Sequence, residues 1–235
     1  MTIEDLHSEI TNTISNRDKK KFVSLNLHGL YLQFKDHRLR SIQKNSIVRV
    51  DGMPIVFIAK ILGYKSIKGD HRVTWMDWKD DFFKYVNYNG YRIFYLGSKQ
   101  DLQSGINEFM TKNYPKIEFT THHGYFKSNC TDEDSLIKEI NNFKPNILLV
   151  GMGMPKQEYW AEDNLERIDA NAIITCGAAM EYITGYVTVP PRWMGRLGFE
   201  WLYRLFENPK RFFFRYIVEP WLLLYQIIKY HSRND

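Results

Sequence analysis

Short, almost wholly apolar runs alternate with helical patterns along most of the chain. The clearest runs are Ile147–Val150 and Ala172–Cys176, and helix-like segments follow them from Pro155 and from Ala178. Strands that are apolar at every position are buried on both faces, which is typical of parallel sheets covered by helices. The sequence therefore predicts an α/β fold in which helices cover both faces of a parallel sheet.

The same alternation predicts further elements upstream. The predicted strands are Phe22–Leu27, Ile47–Asp51, Tyr91–Leu96 and Lys116–Thr120, and the predicted helices run up to Asn45, over Pro54–Leu62, over Leu102–Tyr114 and from Asp132. Ligands of such sheets bind beyond the carboxyl ends of the strands. Asp51, Gly97, Gly151 and Gly177 occupy these ends, so we expect them to converge on one crevice.

The pattern becomes purely helical after Pro190 and Pro191. Helices are predicted over Trp193–Phe206 and Arg211–Tyr230, with a break at Asn208 and Pro209. From Pro190 onward the chain carries eight Lys and Arg against four acids, leaving 24 basic and 23 acidic residues before it. The sequence thus predicts an α/β domain over 1–189 and a basic appendage over 190–235 with a local anionic partner.

The appendage mixes cations with large apolar groups. Arg204, Lys210, Arg211 and Arg215 flank a set of aromatic residues, which are Trp201, Phe206, Phe212, Phe213, Phe214 and Trp221. Its most apolar stretch, from Tyr216 to Ile228, is shorter than the roughly 20 residues that span a bilayer. This composition predicts docking on an anionic membrane surface. The alternative is that the aromatic residues pack the helices onto the core.

The remaining composition favours a cytoplasmic protein at the inner face of that membrane. Cys130 and Cys176 are the only cysteines, and the segment 1–21 has acids early and no apolar core, unlike a secretory signal. Basic residues in excess are confined to the appendage without a recognised motif, so nucleic acid is not an expected partner. The sequence leaves a homo-oligomer open.

A glycine-rich turn, Gly151-Met152-Gly153-Met154-Pro155-Lys156-Gln157-Glu158, follows the Ile147–Val150 strand. Glycines let backbone N–H groups approach a phosphate, and the helix that begins here favours anions. Gln157 would then reach a ribose or sugar hydroxyl. The turn lacks the third glycine of a dinucleotide fingerprint and the Ser or Thr of a P-loop. The alternative is a tight strand-to-helix turn without a ligand.

Two charged residues are candidates for chemistry. Asp51, at a strand end, can act as a general base on an acceptor hydroxyl, although Asp-Gly is also a common turn pair. Arg72 can neutralise a leaving diphosphate, although an isolated Arg is more often a surface or ion-pair residue.

Two clusters raise the question of a metal. Asp132-Glu133-Asp134 opens a helix, where acids favour the positive end of the helix dipole. His122 and His123 are neighbours in a predicted strand and are expected on opposite faces. We therefore predict no required metal.

Taken together, the sequence resembles the WecG/TagA/CpsF glycosyltransferase family from about Phe22 to Tyr216. The segments that carry the resemblance are SLN, VDG, HRVT with Asp77, YLGSK, YPKIEFTTHHGYF, GMGMPKQEYW, CGAAMEYITG and GFEWLYRLFENPKRFFFRY. The resemblance implies a Rossmann-like core and an inverting, metal-independent transferase without a cofactor. It also implies a UDP-sugar donor and a polyprenyl-diphosphate-linked acceptor in cell-surface polysaccharide synthesis.

Carried over position by position, the resemblance makes Asp51 the general base and Ser24 and Asn26 its neighbours in the pocket. Arg72 would face the diphosphate, and Gln157 the ribose or sugar of the donor. The remaining expected substrate contacts are Gly97, Gly151, Gly153 and Glu181. Arginines of the appendage are expected to reach the pocket.

Two departures affect the donor. Val189-Pro190-Pro191 stands where the family has Arg-Ala-Pro, and Arg72-Val73-Thr74-Trp75-Met76-Asp77 differs from the usual R-x-x-G-x-D. The second form resembles the glucuronosyl or glucosyl branch more than the N-acetylmannosaminyl branch. The competing hypotheses are a nucleotide-dependent oxidoreductase or epimerase on the same sheet, and a non-catalytic membrane-associated scaffold.

Overall fold

The computed structural model describes residues 1–64, 66–126 and 130–231. Its sheet contains β1 (Lys20–Leu25), β2 (Ile47–Val50), β3 (Ile93–Gly97), β4 (Phe119–His122), β5 (Ile147–Gly151) and β6 (Ala172–Thr175). The strand order is β2-β1-β6-β5-β3-β4, and every pair is parallel. The predicted α/β fold is confirmed.

Helices flank this sheet. They are α1 (Ile3–Ser15), α2 (Leu27–Lys35), α3 (His37–Lys44), α4 (Met53–Ile61), α5 (Trp75–Asn89), α6 (Gln103–Asn113), α7 (Cys130–Phe143), α8 (Lys156–Asp163) and α9 (Ala179–Ile183). Single 3-10 turns lie at Gly69–His71 and Gln100–Leu102.

Alternate residues of the central strands build two cores, one on each face of the sheet. On one face Tyr95, Leu149 and Ile174 pack in a core that includes residues of α1, α5 and α6. On the other, Leu148 and Ile173 pack with residues of α7 and α8. Both faces are therefore covered, which explains why Ile147–Val150 in β5 and Ala172–Ile174 in β6 are apolar.

The sequence analysis missed α1. Thr2 accepts a hydrogen bond from the Asp5 N–H at 3.3 Å, and the Asp5 carboxylate accepts one from the Thr2 N–H at 2.7 Å. This capping box starts the helix, and fully buried Leu6 and Ile10, four residues apart, hold it on the core.

The sequence analysis also missed α5. It begins after the N-cap Thr74, and its aromatic residues recur at helical spacing. Trp75, Trp78 and Phe82 lie on the buried face, and the Trp75 and Trp78 ring centroids are 4.8 Å apart. The spacing of these aromatic residues was the signal that could have predicted the helix.

Other predicted boundaries were wrong. The helical stretch to Asn45 is two helices, because Asp36 ends α2 and caps α3, accepting from the Leu39 N–H at 3.0 Å. The strand predicted over Lys116–Thr120 runs over Phe119–His122 in the structure, so it begins three residues later.

The C-terminal part folds into short helices: α10 (Arg192–Leu197), α11 (Glu200–Glu207), α12 (Pro209–Phe213), a π-helical turn over Phe214–Val218, and α13 (Glu219–His231). The predicted helix Trp193–Phe206 is broken at Gly198, whose φ is +82°. Helix α13 packs on α2, so this part of the chain lies against the sheet domain. In the described part of the chain, no helix combines the length and apolar character needed to cross a bilayer.

Candidate active site

A cavity of about 320 Å³ lies where the carboxyl ends of β1 and β2 meet the C-terminal helices. Its charged lining residues come from both parts of the chain: Asp51, Arg72, Glu200, Arg204 and Arg215. Its other lining residues include Asn26, His28, Met53, Pro54, Trp201 and Tyr216. The cavity therefore combines guanidinium groups, carboxylates and apolar walls.

Asp51 reaches this cavity because β2 ends directly before it. Its backbone N–H donates to the Leu25 carbonyl at 2.9 Å, which continues the pairing of β1 with β2 by one residue. Gly52 then turns the chain with a φ of +104°, a conformation that side chains disfavour. Asp51-Gly52 is thus both a turn and part of the cavity wall.

Asn26 lies beside Asp51 at the end of β1. Its side-chain oxygen caps α2 by accepting from the Gly29 N–H at 2.9 Å. Ser24, predicted as a second pocket residue, lies within β1 in register with Arg49 and is only 7% exposed. It is not among the residues that line the cavity.

Arg72 is held at the cavity by an ion pair. Its Nη2 lies 2.6 Å from Oδ2 of Asp77, in the first turn of α5. The next residue, Val73, donates to the Val50 carbonyl at 2.8 Å and so fixes this segment beside β2. Arg72 is therefore an ion-pair residue and a cavity residue at once.

Arg204 and Arg215 bring the C-terminal helices to the cavity. The Arg204 guanidinium lies over the Tyr182 ring, 5.2 Å from its centroid, and its Nε is buried without a hydrogen bond in the described structure. Burial opposes its charge, but the surrounding Tyr182 and Tyr216 and the acids Glu200 and Asp51 raise its pKa. Lys210 and Arg211 are exposed and do not line the cavity.

The glycine-rich turn lies elsewhere, at the ends of the central strands. Gln157 is 2% exposed, and its Oε1 accepts from the N–H groups of Gly153 at 3.2 Å and Gly177 at 3.0 Å. Its Nε2 donates to Glu158 at 2.8 Å. The amide thus joins the turns after β5 and β6, and its predicted contact with a donor remains a prediction.

Close packing accounts for two of the predicted glycines. A Cβ at Gly97 would lie 2.7 Å from the Gly151 carbonyl, and one at Gly151 would lie 2.6 Å from the Gly177 carbonyl. Gly153 has a φ of +79°, and Glu181 is half-buried in α9. These residues do not line the cavity at Asp51, so the predicted site residues fall into two groups at different strand ends.

The sequence analysis overlooked Arg49, a fully buried cation two residues before Asp51. Its Nη1 donates to the Val73 carbonyl at 2.6 Å, and the guanidinium lies 5.2 Å from the Trp75 ring centroid. Burial lowers the pKa of Arg49, while the nearby Asp51 opposes that effect. An arginine inside an otherwise apolar strand was the signal for this contact.

Glu158 is a second buried charge that was overlooked. It is inaccessible to solvent, and its Oε2 has no hydrogen-bond partner in the described structure. Burial raises the pKa of Glu158 to about 7, although the hydrogen bond from Gln157 acts in the opposite direction.

The structure also places the two clusters considered for a metal. Asp132 and Glu133 lie in the first turn of α7, as predicted. The expectation for His122 and His123 was wrong, because β4 ends at His122 and the two rings stack with centroids 4.4 Å apart. Within residues 1–64, 66–126 and 130–231, no group of three or more His, Cys, Asp or Glu is placed to hold a metal ion.

Comparison with known proteins adds to this geometry. The N-acetylglucosaminyldiphosphoundecaprenol N-acetyl-beta-D-mannosaminyltransferases of Staphylococcus aureus strains MW2 and NCTC 8325 / PS 47 are each 29% identical to the chain over 141 residues. The aligned region covers 60% of this chain and 54% of each relative, so it spans about half the length of these curated relatives.

A family model covers more of the chain than these relatives do. The model of the Glycosyl transferase WecG/TagA/CpsF family matches residues 1–235, including the C-terminal helices that complete the cavity. The chain therefore belongs to the WecG/TagA/CpsF family of glycosyl transferases.

Proposed function

We propose that this protein transfers a sugar from a UDP-sugar to a polyprenyl-diphosphate-linked acceptor, with Asp51 as the general base. The observation that carries the proposal is the cavity in which the Asp51 carboxylate lies with three arginines, Arg72, Arg204 and Arg215. A carboxylate can accept the proton of an attacking hydroxyl, and guanidinium groups suit a diphosphate. Family membership and the acceptor named for the staphylococcal relatives support this choice.

The proposed reaction is a single displacement. The acceptor hydroxyl attacks the anomeric carbon as Asp51 takes its proton, and the bond to the UDP oxygen breaks with inversion at that carbon. The leaving diphosphate carries the negative charge that the arginines neutralise. We propose that the reaction needs no metal ion and no cofactor.

A second carboxylate lies in the cavity, but its surroundings differ. Glu200 begins α11, and its Oε1 packs so closely against Gly195 that a Cβ there would lie 2.3 Å from it. Asp51 instead lies at a strand end beside the capping residue Asn26. We therefore assign the role of general base, which takes the proton of the acceptor hydroxyl, to Asp51.

The C-terminal helices are proposed to dock on an anionic membrane from the cytoplasmic side, where a lipid-linked acceptor would lie. The aromatic residues Phe206, Phe213, Phe214 and Trp221 are between 52% and 78% exposed. Trp201 and Phe212 instead contact Tyr216, within the C-terminal helices. Lys210 and Arg211 are exposed beside them and supply positive charge.

The test is sugar transfer from a panel of UDP-sugars to polyprenyl-diphosphate-linked N-acetylglucosamine. UDP-N-acetylmannosamine, UDP-glucuronic acid and UDP-glucose cover the donor branches considered, and UDP release, product anomer and EDTA sensitivity are measured. Asp51→Asn should lower turnover by about 10²- to 10⁴-fold while UDP still binds.

Glu200→Gln is the matched control for that variant, because it neutralises the other carboxylate of the cavity. It should retain far more turnover than Asp51→Asn. Equal turnover of the Asp51→Asn variant and the parent would exclude Asp51 as the base, and transfer only from GDP- or CMP-sugars would exclude a UDP donor.

A further inference from the structure

The cavity contains a histidine that the proposed reaction does not use. His28 lies in the first turn of α2, two residues after Asn26, and lines the cavity. Its Nδ1 is 2.7 Å from Oε2 of Glu219, the first residue of α13. The partners are 191 residues apart in sequence, so the pair forms only when α13 lies against α2.

The pair fixes which ring nitrogen is left for a ligand. Glu219 is 5% exposed, and an ionised carboxylate can only accept, so the Nδ1 of His28 donates. Within the described structure, Nε2 of His28 has no hydrogen-bond partner, and 19% of the side chain of this cavity residue is exposed. A carboxylate behind an imidazole orients the ring for the contact made by its other nitrogen.

The surroundings of His28 define the ligand. The other titratable and charged groups that line the cavity are Asp51, Arg72, Glu200, Arg204, Arg215 and Tyr216. Three guanidinium groups accompany two carboxylates, and His28 adds a ring nitrogen that can serve as a hydrogen-bond donor. Such a lining suits a group that carries several negative charges and accepts hydrogen bonds, as a diphosphate does.

We propose that His28 donates a hydrogen bond from Nε2 to a diphosphate oxygen, and that Glu219 is the residue that positions it. The identity of that diphosphate rests on the proposed function, because the UDP donor and the lipid-linked acceptor each contain one. Since Glu219 belongs to α13, the contact exists only while the C-terminal helices are docked on the sheet domain.

Binding of inorganic diphosphate, measured by calorimetry on the full chain, tests the contact without requiring catalysis. His28→Asn keeps a short donor toward Glu219 but lacks the atom at Nε2, and it should bind diphosphate roughly 10-fold more weakly than the parent. Exposed His37→Gln should match the parent.

The positioning role of Glu219 is tested by a double-mutant cycle. Glu219→Gln should weaken diphosphate binding several-fold in the parent but add nothing to His28→Asn, whereas Glu207→Gln, an exposed appendage control, should have no effect. An equal loss in both backgrounds would overturn the positioning role, and parental affinity of His28→Asn would overturn the contact.

Transfer kinetics then identify the source of the diphosphate. A raised KM for the UDP-sugar assigns the contact to the donor, and a raised KM for the lipid-linked sugar assigns it to the acceptor. If the parent binds diphosphate through His28 but transfers no sugar, the contact stands and the proposed function fails.

Discussion

Substitution of Gln157 by alanine separates its role in joining two turns from a role in binding the donor. The amide oxygen accepts from the buried N–H groups of Gly153 and Gly177, and the amide nitrogen donates to Glu158. Alanine removes all three hydrogen bonds. An unsatisfied buried donor costs about 1–3 kcal/mol, and water entering the polar gap would recover part of this, so we expect a loss of about 2–4 kcal/mol.

The assay is urea unfolding followed by tryptophan fluorescence, with the free energy of unfolding taken from the midpoint at constant m-value. A loss of this size corresponds to a decrease in Tm of roughly 5–15 °C for a chain of this length. Gln157→Glu should not recover this stability, because its carboxylate would be buried against Glu158, which now accepts from the Gln157 amide. Gln100→Ala, at an exposed glutamine, should stay within about 0.5 kcal/mol of the parent.

The reasoning would be refuted by a Gln157→Ala protein that unfolds at the parental urea concentration yet has a strongly raised KM for the donor. That result would show that the amide faces a ligand and that its bonds to Gly153 and Gly177 contribute little to stability. A large stability loss with an unchanged donor KM would show the opposite.

Two further predictions concern charge. Because burial raises the pKa of Glu158 to about 7 from its usual 4.5, the folded state holds a proton between these values that the unfolded state has released. The free energy of unfolding should therefore fall by about 3 kcal/mol as pH rises from 4.5 to 7, and Glu158→Gln should remove most of that slope in urea midpoints measured from pH 5 to pH 8. At the membrane, Lys210→Glu with Arg211→Glu should reduce sedimentation with anionic vesicles at low salt, by about 1 kcal/mol or more for each charge removed. Unchanged sedimentation of this double variant would exclude charge-driven docking through α12, and Lys112→Glu, on exposed α6, controls for total charge.

The sheet could be predicted from sequence because its buried central strands consist almost entirely of apolar residues. Ile147–Val150 is apolar at each position and lies at 0% exposure between two neighbouring strands. Helix α5 has an equally clear pattern in Trp75, Trp78 and Phe82, but its interspersed acids and lysines hide the apolar face unless helical spacing is counted. Strands that are apolar at every position were therefore predicted, whereas a helix with one apolar face was missed.

The site could be predicted only in part, because its parts are distant in sequence. Asp51 was found from its position at a strand end, but whether Gln157 lies beside it depends on strand order, which no local pattern specifies. The contact of His28 with Glu219 spans 191 positions and depends on how α13 packs. Tertiary packing of this kind leaves no periodic signal in the sequence.

The place of β2 at the outer edge of the sheet has a consequence for the size of molecule that the cavity can admit. In the described structure β2 pairs with one strand, β1, and on its other side only an isolated bridge joins Val50 to Arg72. Asp51 therefore lies at the margin of the sheet, and not between its central strands. The C-terminal helices form the facing wall of the cavity there. The proposed lipid-linked acceptor could approach such a margin from the side, so that only its sugar and diphosphate would need to enter the cavity.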